Sequence, residues 1–205
     1  MKIGIISGSH RADSQSAKVA NWIERELSAR ALCDETWLYS LAGNPLPFWD
    51  EGIFSGDEDW EKLLAPLRDA LNGCDAFVVV TPEWHGMVPA GLKNFFLLWP
   101  GSGELAHKPA LPVAVSASQN GAYPIAELRM SSYKNSRICY LPEHLIVRDV
   151  NGVFNDDPAD NDPRRQDYLG ARLVYCLEML REYALAFAQI RGSGKVDLDQ
   201  YPNGM

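Results

Sequence analysis

The chain has 205 residues, 46% hydrophobic and 22% charged, with a formal net charge of −8. That length suits one domain around one large core, and the composition excludes wholesale disorder. The acidic balance and the lack of a basic stripe exclude the usual nucleic-acid or anionic-membrane partner, which needs clustered Lys and Arg.

At the N-terminus the apolar run Ile3–Ile6 is too short for a signal-peptide core, and no stretch approaches the roughly 20 apolar residues of a membrane helix. Cys33, Cys74, Cys139 and Cys176 are far apart and form no CxxC pair. They read as ordinary, mostly buried thiols rather than a zinc site or disulfide framework. A reducing compartment, and hence the cytoplasm, is the expected location.

Lys2–Ser7 predicts a short buried strand ending at Gly8. Ser14–Ala31 predicts a helix, because Ala20, Ile23, Leu27 and Ala31 share one helical face. Thr36–Leu41 is a weaker strand, and Ala42–Asp59, with two prolines and three glycines, reads as a long loop. Trp60–Asn72 is a second amphipathic helix. The run Ala76–Thr81 is the pattern of a strand covered on both faces. Helix Ala90–Trp99, strand Pro112–Ser116, helix Ile125–Ser136 and strand His144–Arg148 follow.

Residues 154–163 are acidic and proline-punctuated and read as a surface connection. Arg164–Ile190 predicts a long helix, able by its apolar stripe to cover a sheet or meet another subunit. Residues 1–190 form one expected domain, and 191–205 a polar tail with residues 195–205 trailing in solvent. Alternating strands and helices at this spacing imply βαβ units and a doubly wound parallel sheet, with ligands beyond the carboxyl ends of the strands where the order reverses.

The loop after strand one, Gly8 to Ser16, opens a helix whose free N–H groups suit an anion. Ser9, Ser14 and Ser16 add hydroxyls, and Arg11 adds a guanidinium fork matched to phosphate oxygens. Neither GxGxxG nor GxxxxGK[ST] is present, so a single terminal phosphate fits better than a pyrophosphate or triphosphate. The plainer alternative is that Asp13, Ser14 or Ser16 caps the helix.

This loop resembles the GSxRxxSxN phosphate loop of the NADPH-dependent FMN reductase family, with Ser16 where Asn or Thr is usual. After strand three, Thr81–Asn94 resembles that family's PEYNxSxPxxLKN segment: Pro82, Glu83, Pro89, Leu92, Lys93 and Asn94 match. Trp84 replaces the usual Tyr, and His85 the usual Asn. Ser116–Ala122, before Ala126-Glu127-Leu128-Arg129, resembles the family's third turn, with Asn120 in place of a second glycine.

The resemblance spans roughly residues 1–150. It implies a flavodoxin-like five-stranded parallel sheet of order 2-1-3-4-5, with helices on both faces and an extra long C-terminal helix. It implies FMN as cofactor and NADPH or NADH as co-substrate, with no separate catalytic dyad because the flavin carries the chemistry. Ser9, Arg11, Ser14 and Ser16 are expected to hold the phosphate. Pro82, Glu83, Trp84, His85 and Gly86 are expected to flank the ring, and Ser116, Ser118 and Gly121 to close its other side.

His85 also reads as a plain polar loop residue, and Lys93 and Asn94 read as anchors of the loop or of a subunit contact rather than substrate contacts. Residues 42–59, with Phe48, Trp49 and Phe54, either wall a substrate pocket or form an aromatic-pinned surface loop. The second acceptor is a small molecule left open among flavin, quinone, azo compound and metal oxyanion, and a homodimer or homotetramer is expected. The alternative function is a flavodoxin-like electron carrier without NAD(P)H oxidation, against which Arg11 and the Leu92-Lys93-Asn94 segment stand.

Overall fold

A computed structural model describes residues 1–43, 45–99 and 103–204. The strands are β1 (Lys2–Ser7), β2 (Glu35–Ser40), β3 (Ala76–Pro82), β4 (Pro109–Val115), β5 (Cys139–Tyr140) and β6 (Leu145–Val147). The helices are α1 (Gln15–Ala29), α2 (Gly52–Ser55), α3 (Glu58–Gly73), α4 (Ala90–Leu97), α5 (Ala122–Ser131) and α6 (Pro163–Arg191). All pairings are parallel, in the order β2-β1-β3-β4, with β5 and β6 both on the outer edge of β4.

The expected order therefore holds, but its fifth position is two short strands in tandem. The break between them contains Pro142 and falls opposite Leu111 and Pro112 of β4. Prolines on both sides remove ladder donors there. Arg129 of α5 bridges the gap, donating from Nη2 to the carbonyls of Leu141 at 2.6 Å and Pro142 at 2.8 Å.

Strand residues alternate between two cores. Ile3, Ile5, Val78, Val80 and Val113 face α1 and α6; Ile6, Phe77 and Val79 face α3, α4 and α5. Burial on both faces is why β1 and β3 read as unbroken apolar runs. Leu173, Cys176, Leu177, Leu180 and Ala184 of α6 lie in the first core, so this stripe covers the sheet.

Four expectations about boundaries are corrected. The 42–59 loop contains α2, and Asp57 caps α3 two residues early by accepting from Asp59 and Trp60 N–H. The fourth long helix starts at Ala122 and ends at Ser131, because the hydroxyls of Ser131, Ser132 and Ser136 turn back onto carbonyls four residues earlier. The 154–163 connection is not all surface: Phe154 is fully buried against Trp22, ring centroids 4.5 Å apart. The tail folds back, Gly204 N–H donating to Asn135 and the Tyr201 carbonyl accepting from Arg137. Among the described residues no helix is long and apolar enough to cross a membrane.

Candidate cofactor site

The carboxyl ends of β1 and β3 are joined where the strand order reverses: Gly8 N–H donates to the Val80 carbonyl at 2.8 Å. A side chain at Gly8 would overlap Leu92 of α4, its Cβ falling 2.5 Å from Cδ2. This close approach sets the first loop directly over the third. Between them lies a cleft of about 360 Å³.

Seven of the expected site residues line this cleft: Ser9, Arg11, Ser14, Ser16, Pro82, Glu83 and Trp84. His85, Gly86, Ser116, Ser118 and Gly121 do not line it but build the turns behind it. In the first loop, Ser9 Oγ accepts from Arg11 N–H at 3.3 Å, which bends the chain toward α1. Ser14 is the N-cap and accepts from the N–H groups of Ser16 and Ala17. The capping alternative is thus realised at Ser14, whose own proton stays available as a donor. Ser16 Oγ is buried without a partner at the same helix start. Arg11 is the one cationic side chain among the described lining residues, which also include Asp13.

In the third loop, Trp84 and Met87 exchange backbone hydrogen bonds at 3.1 and 2.9 Å. His85 and Gly86 form the two-residue turn between them, both left-handed, with φ of 52° and 77°. That is the hairpin turn that favours Asn-Gly, and it presents Trp84 to the cleft. The following segment has a structural explanation as well. Glu127 of α5 accepts from Lys93 Nζ at 3.0 Å and from Val88 N–H at 2.7 Å. Asn94 accepts from Trp49 N–H and donates to the Pro47 carbonyl, both at 2.8 Å. Lys93 and Asn94 are anchors, as one reading of the sequence had it.

In the fourth loop, the hydroxyls of Ser116 and Ser118 bond each other at 3.2 Å, and Ser118 N–H also donates to Ser116. Gly121, with φ of 115°, sits where a Cβ would fall 2.4 Å from Ile146 Cγ2, so the turn packs directly on β6.

Val150 and Asn151 also line the cleft, and sequence reasoning missed them. Lys18 of α1 brings them in, donating to the Val150 carbonyl at 2.8 Å and to Asn155 at 2.7 Å. Burial lowers the Lys18 ammonium from its usual range, partly offset by Asp156. A lone Lys in an amphipathic helix carried no signal of this contact across 132 residues.

A doubly wound sheet with a serine-rich helix start at its switch point defines a flavodoxin-like nucleotide-cofactor domain. The chain belongs to the NADPH-dependent FMN reductase family, whose profile matches residues 1–151. FMN is the cofactor of that family, and the cleft's donor set fits its phosphate.

The chain is similar to an NADPH azoreductase of Bacillus sp. (strain OY1-2), 30% identical over 59% of this chain and 62% of that protein. It therefore spans less than two thirds of that relative's length. A quinone reductase of Pseudomonas putida is 27% identical over 80% of this chain and 86% of its own. In fold it is similar to a flavoenzyme NAD(P)H:acceptor oxidoreductase of Paracoccus denitrificans. There the TM-score is 0.66 at 17% identity, covering 91% of this chain and 98% of that one.

Proposed function

We propose that this protein oxidises NAD(P)H through FMN held in the cleft and reduces a second, small-molecule acceptor. Bound FMN supplies the two-electron chemistry, taking hydride from NAD(P)H and passing it on. The observation that carries the reading is the Ser16 hydroxyl, buried and unpartnered at the start of α1, in the cleft that Arg11 and Trp84 also line. Buried polar groups without partners are uncommon, and Ser16, unlike Ser7, Trp99 and Arg137, whose side chains also carry an unpartnered buried atom, lines the cleft.

The chain's own residues have distinct parts. Arg11, Ser9, Ser14 and Ser16 bind the phosphate, with the α1 dipole adding to the attraction. Trp84 offers a flat wall to the ring, and Pro82 and Glu83 run beside it. The turns at His85–Gly86 and at Ser116, Ser118 and Gly121 fix those walls. Asn151, tied through Lys18, closes the remaining side.

A dimer or tetramer belongs to this reading, and the exposed Leu97 of α4 and Met130 of α5 offer apolar surface for it. A cytoplasmic location belongs to it too.

The test is the absorption spectrum of the purified protein after FMN loading, followed by steady-state turnover with NADPH and NADH. Flavin bands that persist through gel filtration, with turnover and a large loss of affinity in Arg11→Ala, are expected. Bound flavin without turnover on any acceptor identifies an electron carrier instead. Unaltered affinity in Arg11→Ala overturns the phosphate assignment.

A further inference from the structure

After β6 the chain passes through Asp149 into a short 3-10 turn, Val150–Gly152, and Val150 and Asn151 reach the cofactor cleft. Asp149 is left-handed, with φ of 43°. That conformation is costly to a residue with a Cβ and persists where surrounding contacts over-determine it, as at ligand clamps. Here three elements hold the turn. In the fourth loop, the carbonyls of Ser118 and Ser116 accept from Asp149 N–H at 3.0 Å and Val150 N–H at 3.1 Å, and Gln119 donates to the Asp149 carboxylate. From α6, Arg165 donates to the Asp149 carbonyl at 3.4 Å. From α1, Lys18 Nζ donates to the Val150 carbonyl at 2.8 Å and to Asn155 Oδ1 at 2.7 Å, and Asn155 Nδ2 donates in turn to the Asn151 carbonyl at 2.9 Å.

The backbone of the turn is thus fully committed, and the Val150 side chain is buried in the core. The Asn151 side chain is not committed. It is exposed, and its amide has no hydrogen-bond partner among the described residues. A polar group on a fixed backbone with its own hydrogen bonds unused is pre-organised for a ligand.

Its place in the cleft says which part of the ligand. The turn is strapped on one side to Lys18, one helical turn beyond the Ser14 cap, and on the other to Ser116. The FMN reading assigns the first side to the phosphate and the second to the ring, so the turn bridges the same gap as the polyol chain between them. An amide both donates and accepts, which matches hydroxyl groups; a phosphate accepts only and is better served by Arg11 and the start of α1. We propose that Asn151 binds the hydroxyls of the flavin's ribityl chain, and that Lys18 is the positioning residue that aims it there. This rests on the FMN reading above.

FMN and riboflavin share ring and chain and differ in the phosphate, so together they test the assignment. Their affinities are measured by flavin-fluorescence titration on wild type, Asn151→Ala, Lys18→Met, the double variant and Arg11→Ala, beside a thermal melt of each. Asn151→Ala removes no side-chain bond within the protein, so its melt is expected to be unchanged. It is expected to weaken FMN and riboflavin by the same factor, about three- to tenfold. Arg11→Ala is expected to weaken FMN and to leave riboflavin within about twofold. Lys18→Met is expected to weaken both flavins equally, and the double variant to lose no more than the larger single loss, because an untethered amide is already misplaced.

Unchanged affinities in Asn151→Ala, a loss confined to FMN, or no riboflavin binding to wild type overturns the ribityl assignment; an FMN loss in Arg11→Ala beside that result keeps the flavin reading. Full affinity in Lys18→Met, or additive losses in the double variant, overturns the positioning role. No FMN binding to wild type overturns the flavin reading and this inference with it.

Discussion

The Ser14 hydroxyl accepts the N–H of Ser16 at 3.2 Å, while the Ser16 hydroxyl, 1% exposed, has no partner. One serine of the pair satisfies the start of α1 and the other is left waiting. An unpartnered buried hydroxyl costs the empty protein stability, about 1–3 kcal/mol on mutational scales. Ser16→Ala is expected to raise the unfolding free energy of the FMN-free protein by about 1 kcal/mol and to lower FMN affinity about tenfold. Urea unfolding and a flavin-fluorescence titration measure the two. Opposite signs are the signature; a loss in both means that the hydroxyl serves the fold and not a ligand.

Trp84 is the one aromatic side chain among the described lining residues of the cleft, and the His10 ring packs edge-on against it. Aromatic pairs contribute about 0.5–1.5 kcal/mol beyond their buried area. Trp84→Ala is expected to lose about tenfold or more in FMN affinity, and Trp84→Tyr to recover most of it. His10→Ala is expected to change FMN affinity less than about threefold, because His10 touches Trp84 and not the cleft. Equilibrium dialysis against FMN distinguishes these; full affinity in Trp84→Ala removes the ring from the wall assigned to it.

The His85–Gly86 turn is strained at His85, a non-glycine residue with φ of 52°. His85→Asn is expected to stabilise the protein by a few tenths of a kcal/mol up to about 1, since Asn tolerates this region better. Gly86→Ala is expected to destabilise by about 1 kcal/mol for backbone reasons alone, because an added Cβ meets only Tyr123 at a comfortable 3.6 Å. Thermal melts of the two variants should move in opposite directions. Movement in the same direction means that the turn relaxes out of the geometry seen.

Lys108 ties the end of α3 to β4, its Nζ donating to the carbonyls of Leu71 at 2.8 Å and Asn72 at 3.2 Å. Burial pulls its ammonium from 10.5 down to about 8. The unfolded chain therefore binds more protons than the folded one between these two values, and this group's contribution to stability rises with pH across that window. Below about pH 8 the buried charge opposes folding by an amount of order 3 kcal/mol relative to high pH. The unfolding free energy of wild type minus that of Lys108→Met is expected to increase from pH 8 toward 10.5. A flat difference shows that Lys108 keeps an ordinary ammonium.

Much of this molecule was legible because its sheet is buried on both faces. The runs Ile3–Ile6 and Ala76–Thr81 carry the signature of such strands in themselves, and the segments opened by Gly8 and Pro82 carry chemistry in their residue types. Short-range patterns do not report contacts made by single residues across the chain. Nothing local marks Arg129 as the clamp over a divided fifth strand, or Lys18 as the tether that brings Val150 and Asn151 to the cleft.

Periodicity and turn chemistry, which are local properties, determined the alternation of strands and helices and the phosphate-suited loop from Ser9 to Ser16, while the strand order and the place of Pro82, Glu83 and Trp84 came from the family resemblance. Tertiary structure decided which serine caps and which stays free, how the left-handed turn aims Trp84, and that Asn94 pins Pro47 and Trp49. Those outcomes depend on where side chains distant in the chain meet, and hydrogen-bond geometry at that scale exists only once the core has packed.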